Sequence, residues 1–127
     1  MNSIASYILS IFLSVYAFQL VPFSDLEEAF RNADASYIMN NVGDKVLIKV
    51  LDKEAVYSPS QGEQVLKRFF ESVPSDEFEF IHKGKEKGAN SFALGSYMNG
   101  SEEYRISLKF KLYRESYKIE VITIEKP

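Results

Sequence analysis

The chain contains no cysteine, no tryptophan and one histidine in 127 residues. Without cysteine there is no disulfide, no thiolate metal site, no cysteine nucleophile and no lipid attached through an N-terminal cysteine. A lone His82 excludes a multi-histidine metal centre, and no metal or other cofactor is expected. Positive charge is also in deficit: 15 Lys and Arg stand against 18 Asp and Glu, a net charge of -3. That sign is wrong for affinity built on neutralising phosphates, so nucleic acid is not an expected partner. Glycine-rich phosphate loops are missing too. Gly84 and Gly88 flank a lysine-rich turn, without the following helix that such loops need. The length suits one domain, which typically takes roughly 100–150 residues.

Charge of either sign is absent before Asp25, and this marks a boundary in the chain. Tyr7 to Phe18 is apolar apart from Ser10 and Ser14, and Val15-Tyr16-Ala17 puts small or β-branched residues at the -3 and -1 positions of a cleavage site after Ala17. Residues 1–17 therefore read as a secretory signal peptide, leaving 18–127 as a single exported domain, periplasmic or extracellular. An uncleaved anchor is the alternative, because Met1 to Ser6 lacks Lys and Arg and the uncharged stretch reaches the about 20 residues a bilayer span needs. Four serines, Gln19 and Pro22 make it a poor permanent span, and no stable membrane insertion is expected once the leader is removed.

What the remainder has in quantity is Phe and Tyr, 10 and 8 in the whole chain, which favours thick β-sheet packing. Ser24 followed by Asp25, Leu26 and Glu27 fits a capping box, and Leu26, Ala29, Phe30, Ala33 and Tyr37 recur at helical steps. Asn32-Ala33-Asp34 interrupts them, giving one bent helix or two. Lys45 to Leu51 alternates as a strand, Asp52-Lys53-Glu54 turns, and Ala55 to Tyr57 returns as a short strand. Ser58-Pro59-Ser60-Gln61 is a second capping box with Pro at the first helical position. It opens a helix with Val65, Leu66, Phe69, Phe70 and Val73 on one stripe, ending before Pro74.

Everything after Asp76 has period two. Phe78, Phe80 and His82 share one face, and Asn99-Gly100 closes a tight hairpin. Tyr104, Ile106, Leu108, Phe110 and Leu112 point one way, with Arg105, Lys109 and Lys111 opposite, where they would cross-pair with Glu77 and Glu79 if the strands were neighbours. The last strand, Tyr117 to Glu125, has apolar residues in both phases, so it is central or buried on both sides. Helices followed by a four-strand meander give an α+β architecture, helices on one face of a curved, mainly antiparallel sheet.

This order resembles the nuclear-transport-factor-2-like cone, also described as ketosteroid-isomerase-like or cystatin-like. The likeness rests on Leu26 to Tyr37 with its break, the strand Val46 to Leu51, the helix Gln61 to Phe70 and the terminal meander. More narrowly, Leu51 to Ser58, Val65 to Phe70 and Ile81-His82-Lys83-Gly84 resemble a family of small exported bacterial proteins of this fold whose function is uncharacterised. The resemblance implies a fold and an exported location, and fold does not fix activity. A ketosteroid-isomerase-like enzyme needs a carboxylate base and an acidic oxyanion partner in an apolar cavity. The inward strand faces offer Phe78, Phe80, Tyr104, Ile106, Leu108 and Phe110 with His82, and no Asp or Glu. These seven residues form the expected pocket. The expected function is non-catalytic: binding of a small apolar ligand, or protein contacts, including homodimerisation, through the sheet. A lyase or isomerase working through His82 is the alternative.

Overall fold

The computed structural model describes residues 20–127, so the expected leader and its cleavage site lie outside the described residues. Two short helices, α1 (Phe23–Arg31) and α2 (Ala35–Asn40), lead into a hairpin of β1 (Val42–Val50) and β2 (Lys53–Tyr57). Helix α3 (Pro59–Ser72) follows, and then β3 (Glu77–Lys83), β4 (Asn90–Asn99), β5 (Glu102–Tyr113) and β6 (Ser116–Glu125). The strands make one sheet in the order β2-β1-β6-β5-β4-β3, antiparallel except where β1 lies parallel to β6. The helices cover its inner face, and the α+β architecture is as the sequence pattern implies.

Local chemistry sets most boundaries. At Ser58 the capping box forms in full, the hydroxyl accepting from the Gln61 amide and the Gln61 side chain accepting from the Ser58 amide. Asp34 caps α2 by accepting from the Tyr37 amide at 3.0 Å, and Ala33 turns the chain with φ 56°, so the break makes two helices. The expected capping box at Ser24 does not form. Helix α1 starts at Phe23 after Pro22, without a side-chain cap, because Glu27 is engaged elsewhere: its Oε2 accepts from the Phe80 amide at 2.8 Å. Arg31 pairs with Glu27 at 3.3 Å and donates to the Phe78 carbonyl at 3.1 Å. Strand β3 is an edge strand, so these two side chains satisfy ladder groups that would otherwise be open to another chain.

Two irregularities change the phase of the alternation. On β3 the register runs Phe80 opposite Gly95 and then His82 opposite Leu94, so Ile81 is an inserted residue. On β6 it runs Ile119 opposite Phe110 and then Val121 opposite Lys109, so Glu120 is the insertion. The second bulge explains the double phase of the last strand. Tyr117 and Ile119 face the core before it and Ile122 and Ile124 after it, so β6 is central but not buried on both sides. Bulges bend a strand and increase its twist, which curves this sheet around the helices. The expected pairing of Glu77 and Glu79 with the β5 cations does not occur, since β4 lies between β3 and β5. Arg105 instead binds Glu103 at 2.7 Å, which holds the Glu103 carboxyl below its ordinary range, with Ser96 assisting.

The core is aromatic. Phe30 stacks on Phe78 at 5.1 Å between centroids, Phe23 meets Phe80 and Phe110 edge-on, and Phe69 and Phe70 close on Tyr97. Gly95 makes room for this: a Cβ there would stand 2.4 Å from the Phe78 ring. Tyr97 is fully buried and donates its hydroxyl to the Val73 carbonyl. Burial, with the Asp76 carboxylate adding to it, pushes the Tyr97 phenol up to about 12.

Candidate functional site

Of the seven residues expected to line a pocket, five are core. Phe78, Tyr104, Ile106, Leu108 and Phe110 are buried, and Phe80 is half-buried against Phe23 and Phe78. Packed against one another and the helices, they fill the space that the alternation assigns to a ligand. His82 needs a correction. The Ile81 bulge turns it to the face opposite Phe80, where it is exposed and makes no side-chain hydrogen bond among the described residues. Lys83 takes the inward phase in its place, its ammonium 5.9 Å from the centre of the Phe23 ring.

An apolar cleft lies instead at the other end of the sheet, between α3 and the β1–β2 hairpin. Ile48 and Val50 of β1 and Lys53 and Tyr57 of β2 line one wall. Val65, Arg68, Phe69 and Ser72 form the other, one stripe of α3 at steps of three and four, with Val73 at its end. The cleft holds about 320 Å³, at the small end of the roughly 300–1,000 Å³ typical of ligand pockets. Its shape follows from Gly62. A Cβ there would stand 2.8 Å from the Met39 sulfur and 3.1 Å from Ile48 Cδ1, so the missing side chain lets the first turns of α3 sit close on β1. Farther along, the helix presents Val65, Arg68 and Phe69, and the cleft opens there.

Leu51 stands at the lip. It occupies the two-residue turn between β1 and β2 with φ 54° and is 40% exposed. Left-handed backbone at a non-glycine residue costs roughly 1–2 kcal/mol, and here it carries a large apolar side chain to the cleft's edge. Tyr97 holds the opposite end through its bond to Val73. The ionisable groups lining the cleft are Lys53, Arg68 and Tyr57, with no carboxylate and no imidazole. Among the described residues neither Lys53 nor Arg68 is in an ion pair. Such a lining suits binding and offers no carboxylate or imidazole base for proton abstraction. Among the described residues there is no group of three His, Asp or Glu that could hold a metal, and no helix long and apolar enough to cross a membrane.

Residues 23–125 match a protein family described as a domain of unknown function, DUF4783. The chain belongs to the DUF4783 family. Its fold matches that of a DUF4783 protein of Bacteroides ovatus ATCC 8483 at 22% identity, TM-score 0.78, covering 86% of this chain and 97% of the other. A DUF4783 protein of Bacteroides uniformis ATCC 8492 matches at 24% identity, TM-score 0.77, over 84% and 97%. An NTF2-like protein of unknown function from Pseudomonas putida KT2440 matches at 13% identity, TM-score 0.61, over 80% and 78%. The DUF4783 domain thus has the nuclear-transport-factor-2-like fold. No curated protein matches the chain. Sequence reasoning missed the cleft of this DUF4783 domain because its lining is discontinuous. The available signal was Gly62 at the start of an amphipathic helix, where a side chain would block close approach to a strand.

Proposed function

We propose that this DUF4783 domain is a non-catalytic binding module that takes a small apolar ligand in the cleft between α3 and the β1–β2 hairpin. The observation that carries the reading is the apolar lining from Ile48 to Val73, whereas the clefts beside Asp25 to Tyr37 and beside Gly43 and Lys118 are lined mainly by charged and polar residues. Leu51 adds to it, since strained backbone that presents an exposed apolar side chain is a feature that tends to collect at binding sites.

Calorimetric titration with octan-1-ol tests the reading. The unmodified protein is expected to bind, and a variant with Val65→Phe and Ser72→Phe, both on the cleft wall, is expected to lose binding while keeping its melting temperature within a few degrees. Equal binding by the two proteins would remove the cleft from the account. Export belongs to the same proposal, supported by the uncharged, apolar stretch from Tyr7 to Phe18. Intact mass of the protein recovered outside the cytoplasm should correspond to a chain starting at Phe18, and a chain starting at Met1 would oppose cleavage.

A further inference from the structure

The two cations of the cleft are not accounted for by apolar binding alone. The chain as a whole is acidic, at a net charge of -3. Even so, the cleft is lined by Lys53 and Arg68 and by no Asp or Glu. The alternation of β2 puts Lys53 on the same side as Tyr57 and sends Glu54 to the other. On α3, Arg68 follows Val65 by three residues and precedes Ser72 by four, which aligns it with the cleft stripe. Among the described residues neither Lys53 nor Arg68 has a carboxylate within 4.0 Å, and no carboxylate lines the cleft beside them.

We infer that the cleft is built for an amphipathic monoanion, a medium-chain alkyl carboxylate, with its tail along Ile48, Val50, Val65 and Phe69 and its carboxylate toward Lys53 and Arg68. This rests on the binding reading above and adds the chemistry of the ligand. The planar fork of Arg68 suits two parallel hydrogen bonds to a carboxylate, and Lys53 supplies a second positive charge. At about 320 Å³ the cleft is at the small end of ligand pockets, a size that suits a chain of medium length such as an eight-carbon acid. The competing explanation is that the Lys and Arg stems merely cover apolar surface with their heads in water, in which case the ligand's headgroup would not matter.

Three eight-carbon probes that differ only in the headgroup separate these cases: octanoate, octan-1-ol and octylammonium, titrated calorimetrically at low salt into the full domain. Octanoate is expected to bind about tenfold tighter than octan-1-ol, as one charge-assisted contact at a partly exposed site allows, and octylammonium weakest. The preference should shrink as salt is added. Hexanoate should bind about fourfold more weakly per methylene removed. In a variant carrying Lys53→Gln and Arg68→Gln, both exposed positions, the tenfold preference for octanoate over octan-1-ol should disappear, and Arg68→Lys alone should retain much of it. Equal affinity for octanoate and octan-1-ol would overturn the inference and leave the apolar-binding reading standing. Parallel loss of both ligands in the double variant would also overturn it, since stems rather than charges would then have held them. Binding of none of the three would remove both.

Discussion

Replacing Glu27 with Ala tests the idea that α1 seals the β3 edge of the sheet. The carboxylate is 30% exposed, accepts from the Phe80 amide at 2.8 Å and holds Arg31, which in turn donates to the Phe78 carbonyl. A hydrogen bond to a charged group contributes roughly 1.5–3 kcal/mol, and partial exposure discounts this because water can replace the lost acceptor. Together with the weakened Arg31 contact, the expected cost is about 1–2 kcal/mol. In a domain of this size each kcal/mol lowers the melting temperature by about 4–8 °C. Glu63→Ala is the matched control, a helical glutamate of similar exposure in an i,i+4 pair with Lys67 at 3.9 Å and, among the described residues, no hydrogen bond to the sheet, with an expected cost of about 0.3–0.5 kcal/mol. Urea denaturation gives both values, and hydrogen exchange at the Phe80 amide reports the edge directly: protection should fall in Glu27→Ala alone. The measurement needs several protein concentrations, because an uncovered edge invites strand pairing between chains. If the two variants lose equal stability and the Phe80 amide exchanges at an unchanged rate, Glu27 is an ordinary surface residue and the sealing argument fails.

Two further outcomes follow from backbone and burial. Arg114 has φ 61° in the exposed two-residue turn between β5 and β6, so Arg114→Gly should stabilise the domain by about 0.5–1 kcal/mol, the relief of left-handed strain less the entropy of glycine; a loss measured by urea denaturation would contradict it. Tyr97 is pushed up to about 12 in the folded domain by burial, against about 10 when unfolded. Its stabilising contribution is therefore complete below pH 10 and is lost as the pH rises from 10 toward 12. Tyr97→Phe should flatten the fall in melting temperature over that window, and an identical slope in both proteins would assign the alkaline loss to other groups.

The fold was legible in the sequence where signals were local. Ser58-Pro59-Ser60-Gln61 set the start of α3, and Asn32-Ala33-Asp34 set the break between α1 and α2, because in each the side chain that caps is within three residues of the amide it satisfies. The β5 alternation matched the buried face at Tyr104, Ile106, Leu108 and Phe110 but not at Leu112, which is exposed near the strand's end. Errors arose where a distant partner decided the outcome. Glu27 was drawn to the Phe80 amide rather than to a helix cap, and the bulge at Ile81 reversed the phase of β3, taking His82 off the aromatic face. A bulge has no composition signature in a strand that reads Phe-Glu-Phe-Ile-His-Lys, since either phase leaves a plausible apolar side. The hairpin after β4 shows the same limit on a smaller scale. Its turn residues are Gly100 and Ser101, one position later than Asn99-Gly100, and Gly100 alone takes a positive φ of 60°. The cleft was hidden for the same reason, its lining being drawn from two strands, a turn and a helix that meet only in the folded chain.

The proposed binding function rests on where a small apolar molecule binds. Amide shifts of the isotope-labelled domain, followed by ¹H–¹⁵N correlation spectra during titration with octan-1-ol, locate it directly. The expected changes cluster at Ile48, Val50, Leu51, Lys53, Tyr57, Val65, Phe69 and Val73, which line the cleft. Changes centred on β3 and β4 around Phe80 and His82, or spread evenly over the domain, would contradict it.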